Sequence, residues 1–172
     1  VWVCTDSPEI ARVAEDFGVR VPWLRPPELA LDGSQVADAL KHLLARLEAE
    51  EAYRPDAVMI VQTTSPFRTP ETIRKAVALF EKHGRESVIT VSAARSHPYW
   101  CYRVDPETDI ITPFQDIGIP PARQKLPPVY CLDGSVFMLK TETFLRNGIL
   151  YSKKDHGLVI EPEEAVDIDG PL

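Results

Sequence analysis

DAVMIVQTTSPFRTP, residues 56–70, is the stretch that decides the fold of this 172-residue chain. Its apolar part, Ala57 to Val61, has the length of one strand and is rich in β-branched residues, which is typical of a strand covered on both faces in a parallel sheet. A polar part follows at once, because Gln62 and three hydroxyl residues stand where the strand leaves the sheet. Ligands of open parallel α/β sheets bind outside the carboxyl ends of the strands, so this loop is the first candidate for a ligand site.

The same loop also has a structural interpretation, as the connection from a strand to a helix. Thr69 can cap the helix, Pro70 suits its first position and Glu71 suits its first turn. This interpretation gives no role to Gln62 or Arg68. The residues by themselves leave both interpretations open.

Composition indicates one ordinary globular domain, since 44% of the residues are apolar and 26% are charged. The net charge of -7 argues against nucleic-acid and anionic-membrane partners, which need clustered lysine and arginine. No apolar run reaches the roughly 18–20 residues of a membrane span, and the N-terminus has no signal-peptide pattern. An odd, widely spaced set of cysteines (Cys4, Cys101 and Cys131) fits buried free thiols, so we expect a cytoplasmic protein.

Apolar periodicity predicts alternating strands and helices on both sides of the central stretch. The predicted strands cover residues 1–5, 19–24, 57–61, 87–91 and 134–139. Helices are predicted after Ser7, after Ser34 as an N-cap, from Thr69 and from Thr141. Regular alternation of this kind means βαβ units, so the predicted fold class is α/β, with a mostly parallel sheet flanked by helices.

The pattern changes after Ala94. Residues 97–104 and 110–114 are typical of a short hairpin with exposed aromatic side chains. Such aromatics indicate an oligomer contact or a lid, and a side cluster that covers the sheet is the alternative. We therefore expect a single domain over residues 1–172, from which residues of about 94–120 protrude as a small excursion.

Strict alternation marks the segment from Glu164 to Asp169. At a period of two, Val166 and Ile168 would face one side and Asp167 and Asp169 the other, as in a half-buried strand. Two adjacent carboxylates repel unless a cation lies between them, and Mg²⁺ is a hard cation that takes oxygen ligands. The alternative is the solvated polar face of an edge strand.

Several short motifs stand out in chain order, namely Thr5-Asp6, Leu24 to Ala30, Gln62 to Arg68, His97-Pro98, Arg123 to Pro127, Asp133 to Phe137 and Val166 to Asp169. Taken together, they resemble the acylneuraminate cytidylyltransferases, also called CMP-sialic acid synthetases. The resemblance implies a Rossmann-like nucleotidyltransferase domain that uses CTP and Mg²⁺ to activate a nine-carbon (nonulosonic) sugar acid, with release of pyrophosphate. It also implies a homodimer.

The family pattern implies a role for each matching residue. It places Arg25 beside the nucleotide, Gln62 at the sugar and in catalysis, Arg123 on the sugar carboxylate, Asp133 and Phe137 with the sugar, and Asp167 and Asp169 on the metal, with Asp169 also catalytic. The residue chemistry agrees, because a guanidinium matches a carboxylate and a metal neutralises phosphate charge.

The chain departs from the family pattern at particular positions. Asp133 stands where many members have Asn, and Trp100 falls near where some have lysine, which leaves the sugar open. The family's basic, glycine-containing phosphate loop is not among residues 1–172, so we expect these residues alone to be inactive. The alternatives are a non-catalytic binding domain and another keto-sugar-acid nucleotidyltransferase on the same fold.

Overall fold

The computed structural model describes residues 1–116 and 122–170. Within these ranges the helices are α1 (Pro8–Asp16), α2 (Val36–Glu51), α3 (Pro70–Lys82) and α4 (Thr141–Asn147). The strands are β1 (Ala57–Val61), β2 (Val88–Ala93), β3 (Tyr102–Val104), β4 (Ile111–Pro113), β5 (Tyr130–Lys140) and β6 (His156–Val159). Single 3₁₀ turns cover Pro27–Leu29, Pro98–Trp100 and Arg123–Lys125. The predicted α/β class is confirmed.

The main sheet contains four strands in the order β1-β5-β2-β6. β2 runs antiparallel to β5, with Val88 opposite Met138 and with an irregularity between Ile89 and Val91. β2 runs parallel to β6, where Val88 lies opposite His156. The sheet is therefore mixed. A long stretch of chain separates β2 from β6, which agrees with the long connection that parallel neighbours need.

The chain divides into two compact units, and the divisions fall inside β1, inside β5 and between Ser152 and Lys153. The first unit comprises Val1–Val58 and Leu139–Ser152, with α1, α2 and α4. The second comprises Met59–Met138 and Lys153–Leu172, with α3, β2, β6 and the β3–β4 hairpin. A single domain over residues 1–172 stays a prediction. Among the helices that the structure describes, none has the length and apolarity to cross a membrane.

The helices of the first unit begin close to the predicted positions. The Ser7 side chain accepts a hydrogen bond from the Ile10 amide at 3.3 Å and caps α1. Ile10 and Val13 in α1 are nevertheless exposed, and so is Phe17, the residue after the helix, at 83%. In α2 the residues Leu40, Leu44 and Leu47 are buried as the pattern predicts. Periodicity thus identifies a helix without showing whether its apolar face is covered.

The prediction that Ser34 caps α2 is wrong. Its hydroxyl accepts a hydrogen bond from the Leu31 amide and donates one to the Glu28 carbonyl, and Gln35 occupies the N-cap position. The Ser34 hydroxyl therefore bonds within the turn before the helix and does not cap α2, a local alternative that serine side chains often adopt.

The predicted strands over residues 1–5 and 19–24 are not found in the described structure. The two segments meet at one isolated parallel bridge, between Trp2 and Arg20. The Val3 amide also donates a hydrogen bond to the Arg20 carbonyl at 3.0 Å. The composition of these two segments suits strands. Whether a segment forms a strand also depends on the neighbouring segment that it pairs with, which composition does not show.

In the second unit, α3 begins where the sequence predicts. Thr69 Oγ1 accepts a hydrogen bond from the Thr72 amide at 3.2 Å, and Pro70 takes the first helical position. Ala76 and Phe80 on its inner face are almost completely buried. The start of α3 therefore lies a few residues beyond the end of β1.

The excursion is a hairpin, as predicted, in which β3 and β4 pair antiparallel with Arg103 opposite Thr112. Its apolar side chains are exposed; they are Trp100, Tyr102, Val104, Ile110, Ile111 and Phe114. Residues 117–120 of the predicted excursion lie outside the described residues. All three cysteines are free as predicted, but none is buried, since Cys4 and Cys101 are partly exposed and Cys131 is exposed.

The prediction of a final strand over residues 164–169 is wrong. This segment is not in a strand, and β6, which the sequence analysis did not predict, takes the place beside β2. Ile168, predicted on a buried side, is 53% exposed. Asp167 and Asp169 are also exposed. Alternation of polar and apolar residues therefore does not by itself make a segment pair with a sheet. Contacts other than strand pairing must hold residues 164–169 in place.

Candidate active site

The loop after β1 is held in place by the side chain of Arg68. Its Nη1 donates hydrogen bonds to the backbone carbonyls of Gln62 at 3.1 Å and Ser135 at 2.8 Å. Burial lowers the pKa of the Arg68 guanidinium, which stays charged at neutral pH because its ordinary pKa is so high. Arg68, left unexplained by the sequence, therefore fastens the loop to β5.

The amide of Gln62 lies against the backbone of Gly134. Gly134 has a φ of +80°, and a Cβ at this position would collide with Gln62 Oε1. Glycine is thus needed twice here, for the left-handed backbone and for the close approach of the amide. The position of the Gln62 amide is set by β5 as well as by its own loop.

Asp133 belongs to a buried polar network between β2 and β5. Its Oδ1 accepts hydrogen bonds from Thr90 Oγ1 and from the Ser135 amide, both at 2.8 Å. Thr90 Oγ1 in turn accepts one from the Val136 amide at 2.9 Å. Within the described part of the chain, the buried Oδ2 of Asp133 has no hydrogen-bond partner. A buried oxygen of this kind is suited to accept a hydrogen bond from a ligand or a water.

Other members of this region are deeply buried. Phe137 is 7% exposed, so most of its surface packs inside the protein. The hydroxyls of Ser65 and Ser135 are buried and, in the described ranges, have no hydrogen-bond partner. Polar atoms therefore concentrate where the loop after β1 meets β5.

Two anchors fix the acidic segment beside the same loop. The Glu164 carboxylate accepts hydrogen bonds from the Thr69 amide at 3.2 Å, from Thr69 Oγ1 at 3.0 Å and from Thr72 Oγ1. Further on, the Ile168 amide donates to the Thr64 carbonyl at 2.8 Å. Asp167 and Asp169 are the chain neighbours of Ile168. The predicted metal ligands thus lie close along the chain to a residue that is bonded to the loop after β1.

The carboxylates of Asp167 and Asp169 fit a divalent cation that is shared with a ligand. No group of three or more His, Cys, Asp or Glu residues with metal-binding geometry occurs in residues 1–116 and 122–170. Mg²⁺ commonly takes one or two protein carboxylates and completes its shell with water and phosphate oxygens. Two exposed carboxylates near a polar loop are such a donor set.

Arg123 lies on an exposed turn whose following loop is tied to the base of the hairpin. The Ala94 amide donates to the Val129 carbonyl at 2.9 Å, and His97 Nε2 lies 3.2 Å from the Pro127 carbonyl oxygen. His97 Nδ1 accepts from the Tyr99 amide at 3.2 Å, so Nε2 carries the proton and donates. The motifs around His97 and Arg123 are therefore physically connected.

Arg25 belongs to the first unit. Its Nη2 donates to Asp6 Oδ1 at 3.0 Å, and its amide donates to the Thr5 carbonyl at 2.7 Å. The hydrogen bond from Arg25 holds the pKa of Asp6 below its ordinary value. These bonds join two of the motifs that are separate in the sequence.

Sequence reasoning missed Glu164 and Thr72. The hydrogen bond between their side chains joins residues 92 positions apart, so no local pattern indicates it. The predicted N-cap at Thr69 was the signal that could have indicated a partner such as Glu164, since the start of a helix favours a nearby carboxylate.

The fold is shared with a solved nucleotide-sugar enzyme. The structure of CMP:2-keto-3-deoxy-manno-octonic acid synthetase complexed with CTP matches 94% of this chain and 72% of that one, with a TM-score of 0.60 and 13% sequence identity. With the family match below, the protein is a nucleotidyltransferase by class.

More particularly, the chain belongs to the cytidylyltransferase family, whose profile matches residues 1–104. It is 37% identical to CMP-N,N'-diacetyllegionaminic acid synthase of Legionella pneumophila over all of this chain and 73% of that protein. It is 32% identical to N-acylneuraminate cytidylyltransferase A of Danio rerio over 98% of this chain. The chain spans only 38% of the latter protein.

Proposed function

We propose that the protein transfers CMP from CTP to a nonulosonic sugar acid and releases pyrophosphate. The observation that carries the proposal is the anchoring of the Asp167 to Asp169 segment to the loop that contains Gln62. Membership of the cytidylyltransferase family and the similarity to a CMP-N,N'-diacetyllegionaminic acid synthase support it. We also propose a cytoplasmic location, which the free cysteines fit.

In the proposed reaction, a hydroxyl oxygen of the sugar acid forms a bond to the α-phosphorus of CTP while the bond to pyrophosphate breaks. Displacement of this kind needs mainly positioning and charge neutralisation. Gln62, held against Gly134, would orient the attacking hydroxyl. Asp167 and Asp169 would hold Mg²⁺, which supplies positive charge to the phosphate oxygens.

The remaining site residues would bind the substrates. Arg123, exposed on its turn, would pair with the sugar carboxylate. Asp133 would accept a hydrogen bond from the sugar through its buried Oδ2, and Phe137 would pack against the sugar. Arg25 would bind the nucleotide together with its partner Asp6.

The proposed activity is tested by measuring pyrophosphate release from CTP and Mg²⁺ in the intact protein. N,N'-diacetyllegionaminic acid, N-acetylneuraminic acid and 2-keto-3-deoxy-manno-octonic acid are compared as acceptors, with UTP and ATP replacing CTP as controls. We expect metal-dependent turnover with CTP and at least one of the first two acids. Binding of CTP without turnover of any acceptor would instead favour the non-catalytic binding domain.

A further inference from the structure

Glu164 makes more contacts with α3 than the helix cap requires. Thr69 Oγ1 already accepts the hydrogen bond from the Thr72 amide, which is the usual N-cap interaction. The three donors to Glu164 Oε2 are the Thr69 amide, the Thr69 hydroxyl and the Thr72 hydroxyl. Since the helix is capped without Glu164, the main consequence of these bonds is that the acidic segment docks on α3.

The docked segment has little freedom between its two anchors. Glu164 is bonded at the start of α3, and the Ile168 amide is bonded to the Thr64 carbonyl at 2.8 Å. Four residues of fully extended chain span at most about 14 Å, so Asp167 cannot move far while both anchors hold. Loss of the Glu164 anchor would leave Asp167 and Asp169 attached through the Ile168 bond alone.

The Oε2 atom of Glu164 is occupied by three donors, so this oxygen is not available to a cation. Those donors, with the amide dipoles at the start of α3, stabilise its negative charge close to two further carboxylates. Hydrogen bonds from Thr72 and Thr69 accordingly lower the pKa of Glu164. The segment can therefore carry three carboxylates while two of them stay available to a cation.

We propose that Glu164 is a positioning residue for the metal-binding pair, and that its anchorage on Thr69 and Thr72 holds Asp167 and Asp169 beside the loop after β1. This inference rests on the proposed function. Partners that orient metal ligands from outside the coordination shell typically contribute roughly 10–100-fold to metal affinity. The effect of removing Glu164 should therefore appear in metal binding more than in turnover at saturating metal.

The test uses Glu164→Ala, Glu164→Gln and Thr72→Val in the intact protein, with Mn²⁺ as the probe. Mn²⁺ binding in the presence of CTP is followed by electron paramagnetic resonance, which needs no turnover. We expect Glu164→Ala to weaken Mn²⁺ binding by about tenfold or more. Glu164→Gln should weaken it less, because its amide oxygen can still accept the threonine hydrogen bonds.

A double-mutant cycle distinguishes docking from a general loss of stability. Once Glu164 is alanine, Thr72→Val should have no further effect on Mn²⁺ affinity, because both changes break the same contact. Ser7→Ala is the matched control, since it removes the side-chain cap of α1. It should lower stability and leave the Mn²⁺ affinity unchanged.

An unchanged Mn²⁺ affinity in Glu164→Ala, with lowered stability, would overturn the inference and leave the proposed function standing. Should Glu164→Ala fail to fold, Thr72→Val decides the question in the same way, because it removes a donor of the anchor and keeps Glu164. Absence of pyrophosphate release by the unchanged protein with every acceptor would contradict the proposed function separately. Failure of the unchanged protein to bind Mn²⁺ would overturn both.

Discussion

The amide of Gln62 is positioned by a residue that has no side chain. An alanine at position 134 would adopt a left-handed backbone at a cost of about 1–2 kcal/mol, and its Cβ would also displace Gln62 Oε1. We expect Gly134→Ala to lower kcat/KM for the sugar acid by about tenfold or more, measured with the pyrophosphate assay, because a misplaced orienting group costs rate.

Gly18→Ala is the matched control for that substitution. Gly18 has a φ of +73°, and a Cβ there would meet no atom within 4 Å. The two variants should lose similar amounts of stability in urea unfolding, and only Gly134→Ala should lose activity. Equal activity in both variants would show that Gln62 has no role at the site.

The guanidinium of Arg123 should distinguish the two substrates. Arg123→Ala would remove the proposed charge-assisted pair with the sugar carboxylate, worth roughly 1.5–3 kcal/mol, or about 10–100-fold in affinity for the sugar acid. Affinity for CTP should change little, as calorimetry on each ligand can show. Lys125→Ala, on the same exposed turn, is the control and should have the smaller effect. Equal losses for both ligands would mean that Arg123 is misassigned.

At the scale of elements, the acidic segment should control the metal requirement. If the pair holds the metal as proposed, Asp167→Asn and Asp169→Asn each remove a negative oxygen ligand, so each should raise the Mg²⁺ concentration for half activity by at least about tenfold. Glu163→Gln is the control, because this exposed carboxylate lies in the same segment. A metal requirement that is unchanged in the double Asp variant would identify the pair as a solvated polar face.

The docking of this segment on α3 also predicts a pH dependence of stability. The hydrogen bonds from Thr72 and Thr69 depress the pKa of Glu164 in the folded protein. Its stabilisation is therefore complete above the pKa of the unfolded chain, about 4.3, and is lost as the pH falls through the lower folded value. We expect the stability difference between the unchanged protein and Glu164→Gln to be constant from pH 8 to about 5.5 and to shrink below about 4.5. A constant difference down to pH 3 in urea unfolding would contradict this assignment.

Helices and loops were predicted better than the outer parts of the sheet. The cap of α3 at Thr69 could be predicted, because threonine followed by proline is a local signal for the start of a helix. The role of Arg68 could not be predicted, since one of its acceptors is a carbonyl 67 positions away. Contacts between residues far apart in the sequence also explain why β6 was not predicted and why residues 164–169 were wrongly predicted as a strand. Alternation of polar and apolar residues was compatible with a strand, and only the long-range pairing with β2 decided which segment joined the sheet.

For the whole molecule, we propose a homodimer that forms through the β3–β4 hairpin. The described hairpin exposes Tyr102, Ile111 and Phe114, and apolar patches of this kind are typical of protein interfaces. Ile111→Asp should convert a dimer to a monomer, because a charge placed in an apolar contact is costly. Light scattering at tens of micromolar measures the change. Glu107→Gln in the connecting turn is the control, and a monomeric unchanged protein would contradict the proposal.

The long sequence separation of the Glu164 anchor has a consequence for folding. The bonds from Glu164 to Thr69 and Thr72 close loops of 95 and 92 residues, and contacts of such separation form late because the chain entropy must be lost first. During synthesis, these bonds can form only after residue 164 has left the ribosome, long after Thr69 and Thr72 have done so. On refolding from urea, helical circular dichroism should therefore recover before Mn²⁺ binding does, and the protein should pass through a stage that has its secondary structure but no metal site.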